Sequence, residues 1–176
     1  MNRRDVIYND FVIVGPRTTR PASVARRTRV AALTRIAARA SPFVSRGDES
    51  GTHKRERALL REAGITPAGR RYREAGQGMG RVLLMAGELD AYTLTDRGTW
   101  LAYRDRSPLA LLAQGDARLF NPYGIIATNP QRYPDVAHAG AMRLIEWVTS
   151  HPGQAIIRDF KRRGEPLFIP MAAPAL

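Results

Sequence analysis

The chain has 176 residues, the size of one large or two small domains, and its 44% hydrophobic content is enough for a packed core. It has no cysteine, which excludes disulfides, thiolate metal sites and a cysteine nucleophile. The net charge is +12, but the arginines are spread out without a long block of like charges, so a solvated basic surface is favoured and no nucleic-acid partner is expected.

Neither a membrane span nor a signal peptide is predicted. No run approaches the roughly 18 apolar residues of a span, and residues 1–5 lack the apolar core of a secretion signal. Taken as written, the sequence predicts a soluble, cytoplasmic chain.

The first predicted elements are a strand and a helix. Residues 6–14 are rich in β-branched and aromatic side chains and end at Gly15-Pro16, which predicts a buried strand. Apolar residues then recur at helical spacing with arginines between them, which predicts an amphipathic helix from a cap at Ser23 to about Ala40. The arginine-rich face of this helix is interpreted as a solvated surface.

Residues 45–53, here called the anion seat, lie between a strand end at Phe43-Val44 and a helix closed by Gly64. The free N–H groups and aligned peptide dipoles of a first helical turn favour binding of an anionic ligand. The candidate donors are hydroxyls, backbone amides and one guanidinium, namely Ser45, Arg46, Ser50, Gly51 and Thr52. An ordinary Ser-capped helix is the alternative, but Arg46 and Asp48 at fixed offsets favour the seat.

A second glycine-rich turn, residues 76–80, joins a short strand at 71–75 to a helix at 81–86. Gln77 and Gly78 are its candidate supporting residues, because backbone donors there could reach the same ligand. Close packing of helix on strand explains these glycines equally well.

The remaining elements alternate strands with helices, which predicts an α/β domain. The strands are expected at 91–95, 109–113 and 121–128, with a short helix at 96–103. Two helices close the chain, one from near Asp135 and one after Gly153 that stops at Gly164. Their predicted inward residues are Met142, Ile145, Trp147, Val148, Ala155, Ile156, Ile157 and Phe160. Residues 167–170 are expected to dock on the domain, and residues 171–176 to be disordered.

No catalytic or metal site is predicted. The three histidines, His53, His138 and His151, lack metal-ligand spacing, and no triad-like arrangement surrounds Ser50. His53 is interpreted as a packing or capping residue of the first helical turn. The chain is therefore not expected to be an enzyme or to carry a cofactor.

Five segments in order give the chain a resemblance, over nearly its whole length, to the tungstate-binding proteins of bacterial ABC uptake systems, a branch of the type II periplasmic binding-protein superfamily. The segments are residues 8–16, 43–53, 74–80, 92–99 and 119–124. Phosphate-binding proteins share the arrangement of Arg46, Asp48, Ser50, Gly51 and Thr52 but not the other four segments.

The resemblance implies an α/β fold of two lobes joined by crossing segments, with the ligand in the cleft. Residues 1–16 correspond to the first crossing strand, 17–118 to the second lobe, which carries the anion seat, and 119–176 to the return crossing and C-terminal helices of the first lobe. One lobe would thus be complete and the other present only in its C-terminal part. We therefore hypothesise that Met1 is a truncated or misassigned start. If so, the C-terminal helices are expected to have an uncovered apolar face.

The implied function is binding of a tetrahedral oxyanion, tungstate or molybdate, and its delivery to the permease and ATPase of an ABC importer. The implied ligand residues are Ser45, Arg46, Ser50, Gly51 and Thr52, with Asp48, Gln77, Gly78 and Thr95 in support. A full-length form would be periplasmic or extracellular and membrane-associated, and a genuine start would make the chain cytoplasmic. The alternatives are phosphate-type oxyanion binding, a cytoplasmic anion-sensing module, and a non-functional fragment.

Asp48 is the acidic residue of this set, and its negative charge conflicts with an anionic ligand. Tungstate and molybdate are fully ionised near neutral pH and only accept hydrogen bonds, so a carboxylate facing them would repel them. We therefore expect Asp48 to brace Arg46 or cap the helix, whereas a phosphate that still carries a proton could donate to it.

Overall fold

The computed structural model describes residues 2–18, 29–115 and 119–172, without the side chains of residues 29–31. The chain divides into two compact units, one formed by Asp10–Phe120 and the other by Met1–Asn9 together with Asn121–Leu176. The helices are α1 (Arg29–Ala38), α2 (Gly51–Glu62), α3 (Met79–Glu88), α4 (Arg97–Tyr103), α5 (His138–Thr149) and α6 (His151–Asp159). The strands are β1 (Arg4–Pro16), β2 (Phe43–Ser45), β3 (Tyr72–Glu74), β4 (Thr93–Asp96), β5 (Leu109–Ala113), β6 (Phe120–Ile125), β7 (Lys161–Arg162), β8 (Glu165–Pro166) and β9 (Ile169–Pro170).

β1 is the predicted buried strand, extended by two residues at each end. In the Asp10–Phe120 unit it runs antiparallel to both β4 and β5, with Val12 opposite Thr95 and Val14 opposite Leu111. Val12, Ile13 and Val14 have no exposed surface, which explains why residues 11–14 are a continuous apolar run rather than an alternating one. The core of this unit gathers apolar side chains from β1, α1, β2, α2, β4 and β5.

Two parallel strands fix where α2 and α3 begin. β2 and β3 pair in parallel, with Ser45 opposite Glu74, and a parallel bridge joins Phe43 to Tyr92 just before β4. Because the carboxyl ends of parallel strands lie at the same edge of a sheet, α2 and α3 both start there. Leu59 and Leu60 of α2 and the Val82 to Ala86 face of α3 then pack into the core.

The second unit contains α5, α6 and the chain's last strands. β9 pairs antiparallel with the start of β1, Ile7 opposite Pro170, which confirms the expected docking of residues 167–170. The buried Gln154 side chain donates to the carbonyl of Val148 at 2.7 Å and accepts from the N–H groups of Met171 and Ala172. The prediction of disorder is therefore wrong for these two residues, and residues 173–176 lie outside the described part of the chain.

The sequence-based limits of the C-terminal elements need correction. The last helix ends at Asp159 rather than Gly164, and Gly164 instead has a positive φ of 79° in the turn between β7 and β8. Of the predicted inward side chains, Ile145 is buried, but Trp147, Ile156 and Phe160 are 52%, 59% and 58% exposed. Helical spacing identifies residues that share a face but not whether anything covers that face.

The predicted cap at Ser23 lies outside the described residues, and the described helix begins at Arg29. No helix in the described ranges is both long and apolar enough to span a membrane.

Candidate functional site

The anion seat is a tight turn followed by a capped helix. Ser50 is the N-cap of α2: its backbone is extended and its Oγ accepts from the N–H of His53 at 3.3 Å. Gly47 has a positive φ of 59°, and a Cβ on it would lie 2.5 Å from the Cβ of Glu74, so only glycine fits there. The packing of β3 against this turn therefore fixes the path by which the chain enters α2.

The first turn of α2 presents two open backbone donors. The N–H of Ser50 donates to Oδ1 of Asp48 at 3.2 Å, and the N–H of His53 donates to Oγ of Ser50. Within the described part of the chain, the N–H groups of Gly51 and Thr52 have no hydrogen-bond partner. Aligned helix dipoles make this a favourable place for a negative charge.

Arg46 lies beside these donors and is held by Asp48. Its Nη2 donates to Oδ2 of Asp48, and its Nε is buried without a partner among the described residues. Burial acts to raise the pKa of Asp48, but hydrogen bonds from Ser50 and Arg46 outweigh it and lower the pKa below its ordinary 3.8. As expected, Asp48 is a charged brace for Arg46, and it also orders the turn through Ser50.

A cluster of polar side chains lies beneath the seat, and we call Ser45, His53, Glu56 and Tyr72 its polar base. The Tyr72 hydroxyl donates to Oε1 of Glu56 at 2.5 Å, and Oε2 of Glu56 is buried without a partner among the described residues. Burial raises the pKa of Glu56 above 4.5, against the lowering effect of the Tyr72 and Ser45 hydroxyls. Burial, and then the bond to Glu56, raise the pKa of Tyr72.

Ser45 belongs to this base rather than to the open face of the seat. Its side chain is fully buried, its Oγ accepts from the N–H of Gly47 at 3.3 Å, and its hydroxyl lies beside Glu56 and Tyr72. Its role as a direct donor to the anion stays a prediction.

Sequence reasoning missed Glu56 and Tyr72, although one signal was available. The buried face of α2 contains Thr52, His53, Glu56, Leu59 and Leu60, so an acid stands on the helical stripe that the apolar residues define. His53 is a packing residue as predicted: it is 2% exposed, and its Nδ1 accepts from the N–H of Glu49 at 3.1 Å.

The predicted supporting residues gather at the same sheet edge. Gly78 is the N-cap of α3, and the N–H groups of Met79 and Gly80 have no partner in the described ranges. Gln77 accepts a long 3.5 Å hydrogen bond from Arg81. Thr95, at the end of β4, is 1% exposed and donates to the carbonyl of Asp96 at 3.4 Å.

A second ion pair, also missed from the sequence, lies in the same unit. Arg97 donates to both oxygens of Asp10 at 2.6 and 2.7 Å and to Gln114 at 2.9 Å. Both Asp10 and Arg97 stand in the family-like segments, but a pair 87 residues apart cannot be inferred from local spacing. Its bidentate form ties β1 to the start of α4.

What the site offers chemically is a set of hydrogen-bond donors: backbone amides of two helix starts and one guanidinium. Across the described residues, no group of three or more His, Cys, Asp or Glu side chains is arranged to hold a metal ion.

Comparison with known proteins gives a consistent family. The PBP superfamily domain matches residues 1–152. The tungstate-binding protein TupA of Peptoclostridium acidaminophilum is 43% identical over 178 residues, covering 98% of this chain and 62% of that protein.

Two solved structures agree. The tungstate-binding protein TupA from Desulfovibrio alaskensis has a TM-score of 0.80 and 42% identity, covering 97% of this chain and 70% of that one. The tungstate ABC transporter structure from Geobacter sulfurreducens has a TM-score of 0.82 and 50% identity, covering 91% and 68%.

The chain spans only 52 to 64% of the length of the curated relatives that it matches. Those relatives are named as binding proteins, so the family is one of solute-binding proteins and not of enzymes. With its type II periplasmic-binding-protein fold and these similarities, the chain belongs to the TupA family of tungstate-binding proteins within the PBP superfamily.

Proposed function

We propose that this chain binds a tetrahedral oxyanion, tungstate or molybdate, at the anion seat. The observation that carries the proposal is the pair of open N–H groups of Gly51 and Thr52 beside the braced guanidinium of Arg46. A fully ionised dianion only accepts hydrogen bonds, so a surface made of donors suits it. The open amides at the start of α3 lie at the same sheet edge and add to the donor set.

The role in transport is the finer part of the proposal. The relatives named as tungstate-binding and ABC transporter proteins support a role for the chain outside the cytoplasm, where it would deliver the anion to an ABC importer made of a permease and an ATPase. The assignment of residues 1–16 and 119–176 to crossing segments and the first lobe, with 17–118 as the second lobe, belongs to the same proposal. No cofactor is part of it.

Calorimetric titration of the chain with tungstate, molybdate, phosphate and sulfate tests the proposal. We expect Arg46→Ala to weaken tungstate binding at least about tenfold, because a charge-assisted hydrogen bond contributes about 1.5–3 kcal/mol. Arg61→Ala is the matched control, since it removes an exposed arginine from the other end of α2. No binding of any of the four anions, or unchanged binding by Arg46→Ala, would contradict the assignment.

Phosphate is the second candidate, because Asp48 stands in the seat. Its two oxygens are already engaged by Ser50 and Arg46, which favours the fully ionised anions. The variant Asp48→Asn distinguishes tungstate binding from phosphate binding.

A further inference from the structure

Glu56 is a buried acid that the proposed function does not use. It is 1% exposed, lies on the helix that begins at the anion seat, and has one oxygen bonded to Tyr72 and one without a partner among the described residues. A carboxylate in such surroundings is costly in its charged form, because it is buried and its Oε2 receives no hydrogen bond from the described residues. A protonated carboxyl avoids that cost and still accepts from Tyr72.

Burial raises the pKa of Glu56 against the lowering effects of the Tyr72 and Ser45 hydroxyls and of His53, and the charge of Glu74 adds to the rise. Of the groups that face Glu56, its own helix contributes His53, and β3 contributes Tyr72 and the more distant carboxylate of Glu74. Nδ1 of His53 accepts from the N–H of Glu49 at 3.1 Å, and its Nε2 lies 3.4 Å from Oε1 of Glu74. β2 contributes the hydroxyl of Ser45, and α1 contributes apolar side chains to the same core.

We propose that Glu56 determines the affinity of the anion seat by taking up a proton when the anion binds. This inference rests on the proposed function. Gly51, whose N–H would contact the anion, precedes Glu56 by five residues on one helix, which places a bound dianion about 10 Å from the carboxyl group. Two negative charges at that distance, across a protein interior, disfavour the ionised carboxylate.

The proposal has a definite direction with pH. The protonated form of Glu56 binds the anion more tightly, so the pKa of Glu56 is higher in the complex than in the free protein. Affinity is then greatest below the free-state pKa, falls as the pH rises through the two values, and levels off above the pKa of the complex.

The test compares tungstate binding by the full chain and two variants between about pH 5.5 and pH 8.5. Glu56→Gln keeps an acceptor for Tyr72 without the titrating group, and Glu62→Gln makes the same change at an exposed position of α2. For the wild type and Glu62→Gln we expect the Kd to rise about tenfold over this range. Calorimetry in two buffers of different ionisation enthalpy should show proton uptake by these two proteins. Glu56→Gln should show neither effect.

A carbon-13 titration of labelled glutamate carboxyls supplies a direct readout, in which the resonance missing from Glu56→Gln identifies Glu56. Its midpoint should lie above 4.5 in the free chain and rise further with tungstate. A midpoint that tungstate leaves unchanged, or proton uptake retained by Glu56→Gln, overturns the inference. Tungstate binding that is independent of pH overturns this inference alone, whereas no binding by the wild type at any pH overturns the proposed function as well.

Discussion

At the scale of single residues, the proposed tungstate and phosphate assignments of the seat differ in what they require of Asp48. Its carboxylate braces Arg46 and orders Ser50, so it is directed at protein donors. We predict that Asp48→Asn binds tungstate within a few-fold of the wild type, because the amide oxygen can still accept from Ser50. Phosphate binding, if present, should be damaged, since a phosphate proton would lose its acceptor. Parallel titrations with both anions measure this.

A collapse of tungstate affinity in Asp48→Asn would show that the brace, and not only the arginine, is required. The lowered pKa of Asp48 adds a condition on pH. The stabilisation that Asp48 gives the fold is present above its ordinary pKa of 3.8 and is lost only as the pH falls through the lower folded value. Loss of binding near neutral pH therefore cannot come from Asp48.

Glu56 has the opposite dependence, because its pKa is raised in the folded chain. Its contribution to the free energy of unfolding is fully present below the ordinary value of 4.5 and is lost as the pH rises through the folded value. We predict that Glu56→Gln becomes more stable relative to the wild type as the pH is raised from 5 to 8. Urea unfolding at several pH values measures the difference. The free energy of unfolding of Glu62→Gln should change with pH as that of the wild type does. If that of Glu56→Gln changed with pH in the same way as the wild type, the prediction would be contradicted.

At the scale of elements, the turn between β2 and α2 depends on Gly47. A methyl group there would meet the Glu74 side chain, and the positive φ is unfavourable for alanine. We predict that Gly47→Ala lowers the free energy of unfolding by about 1–3 kcal/mol and weakens anion binding, because the turn must move away from β3. Gly51→Ala is the control for stability, since its methyl would meet no atom within 4 Å. Equal thermal midpoints for the two variants would show that the turn tolerates the shift.

The elements around the seat could be predicted because their signals are local. Ser50 before a helical stripe gives the start of α2, and the glycines at 76–80 give the start of α3. The contact of Glu56 with Tyr72 could not be predicted, because it exists only once α2 lies over the parallel pair β2 and β3. The ion pair of Asp10 with Arg97 likewise depends on how β1 and β4 pair.

The predicted burial of the C-terminal helices failed for a related reason. Hydrophobic spacing placed Trp147, Ile156 and Phe160 inside, and the structure leaves all three more than half exposed. A periodic pattern specifies the apolar face of a helix, and only the tertiary structure specifies what packs on it. The expected uncovered apolar face on these helices agrees with this exposure.

At the scale of the whole molecule, that face should govern association. Leu144 and Trp147 on α5, and Ile156 on α6 with Phe160 at its C-cap, are 52–59% exposed. The two residues of each pair are three or four positions apart, so they lie on one side of their helix. Exposed apolar surface of this kind is a site of association in water.

We predict that the purified chain associates reversibly, with a mean mass in sedimentation experiments that rises with concentration. The net charge of +12 opposes association, so the effect should be stronger at about 0.5 M than at about 0.05 M salt, where repulsion is less screened. Ile156→Glu combined with Phe160→Glu should restore a monomer. Leu89 is an exposed leucine in the Asp10–Phe120 unit, and Leu89→Glu should leave association unchanged. A wild-type chain that is monomeric at all concentrations and melts cooperatively would contradict the prediction.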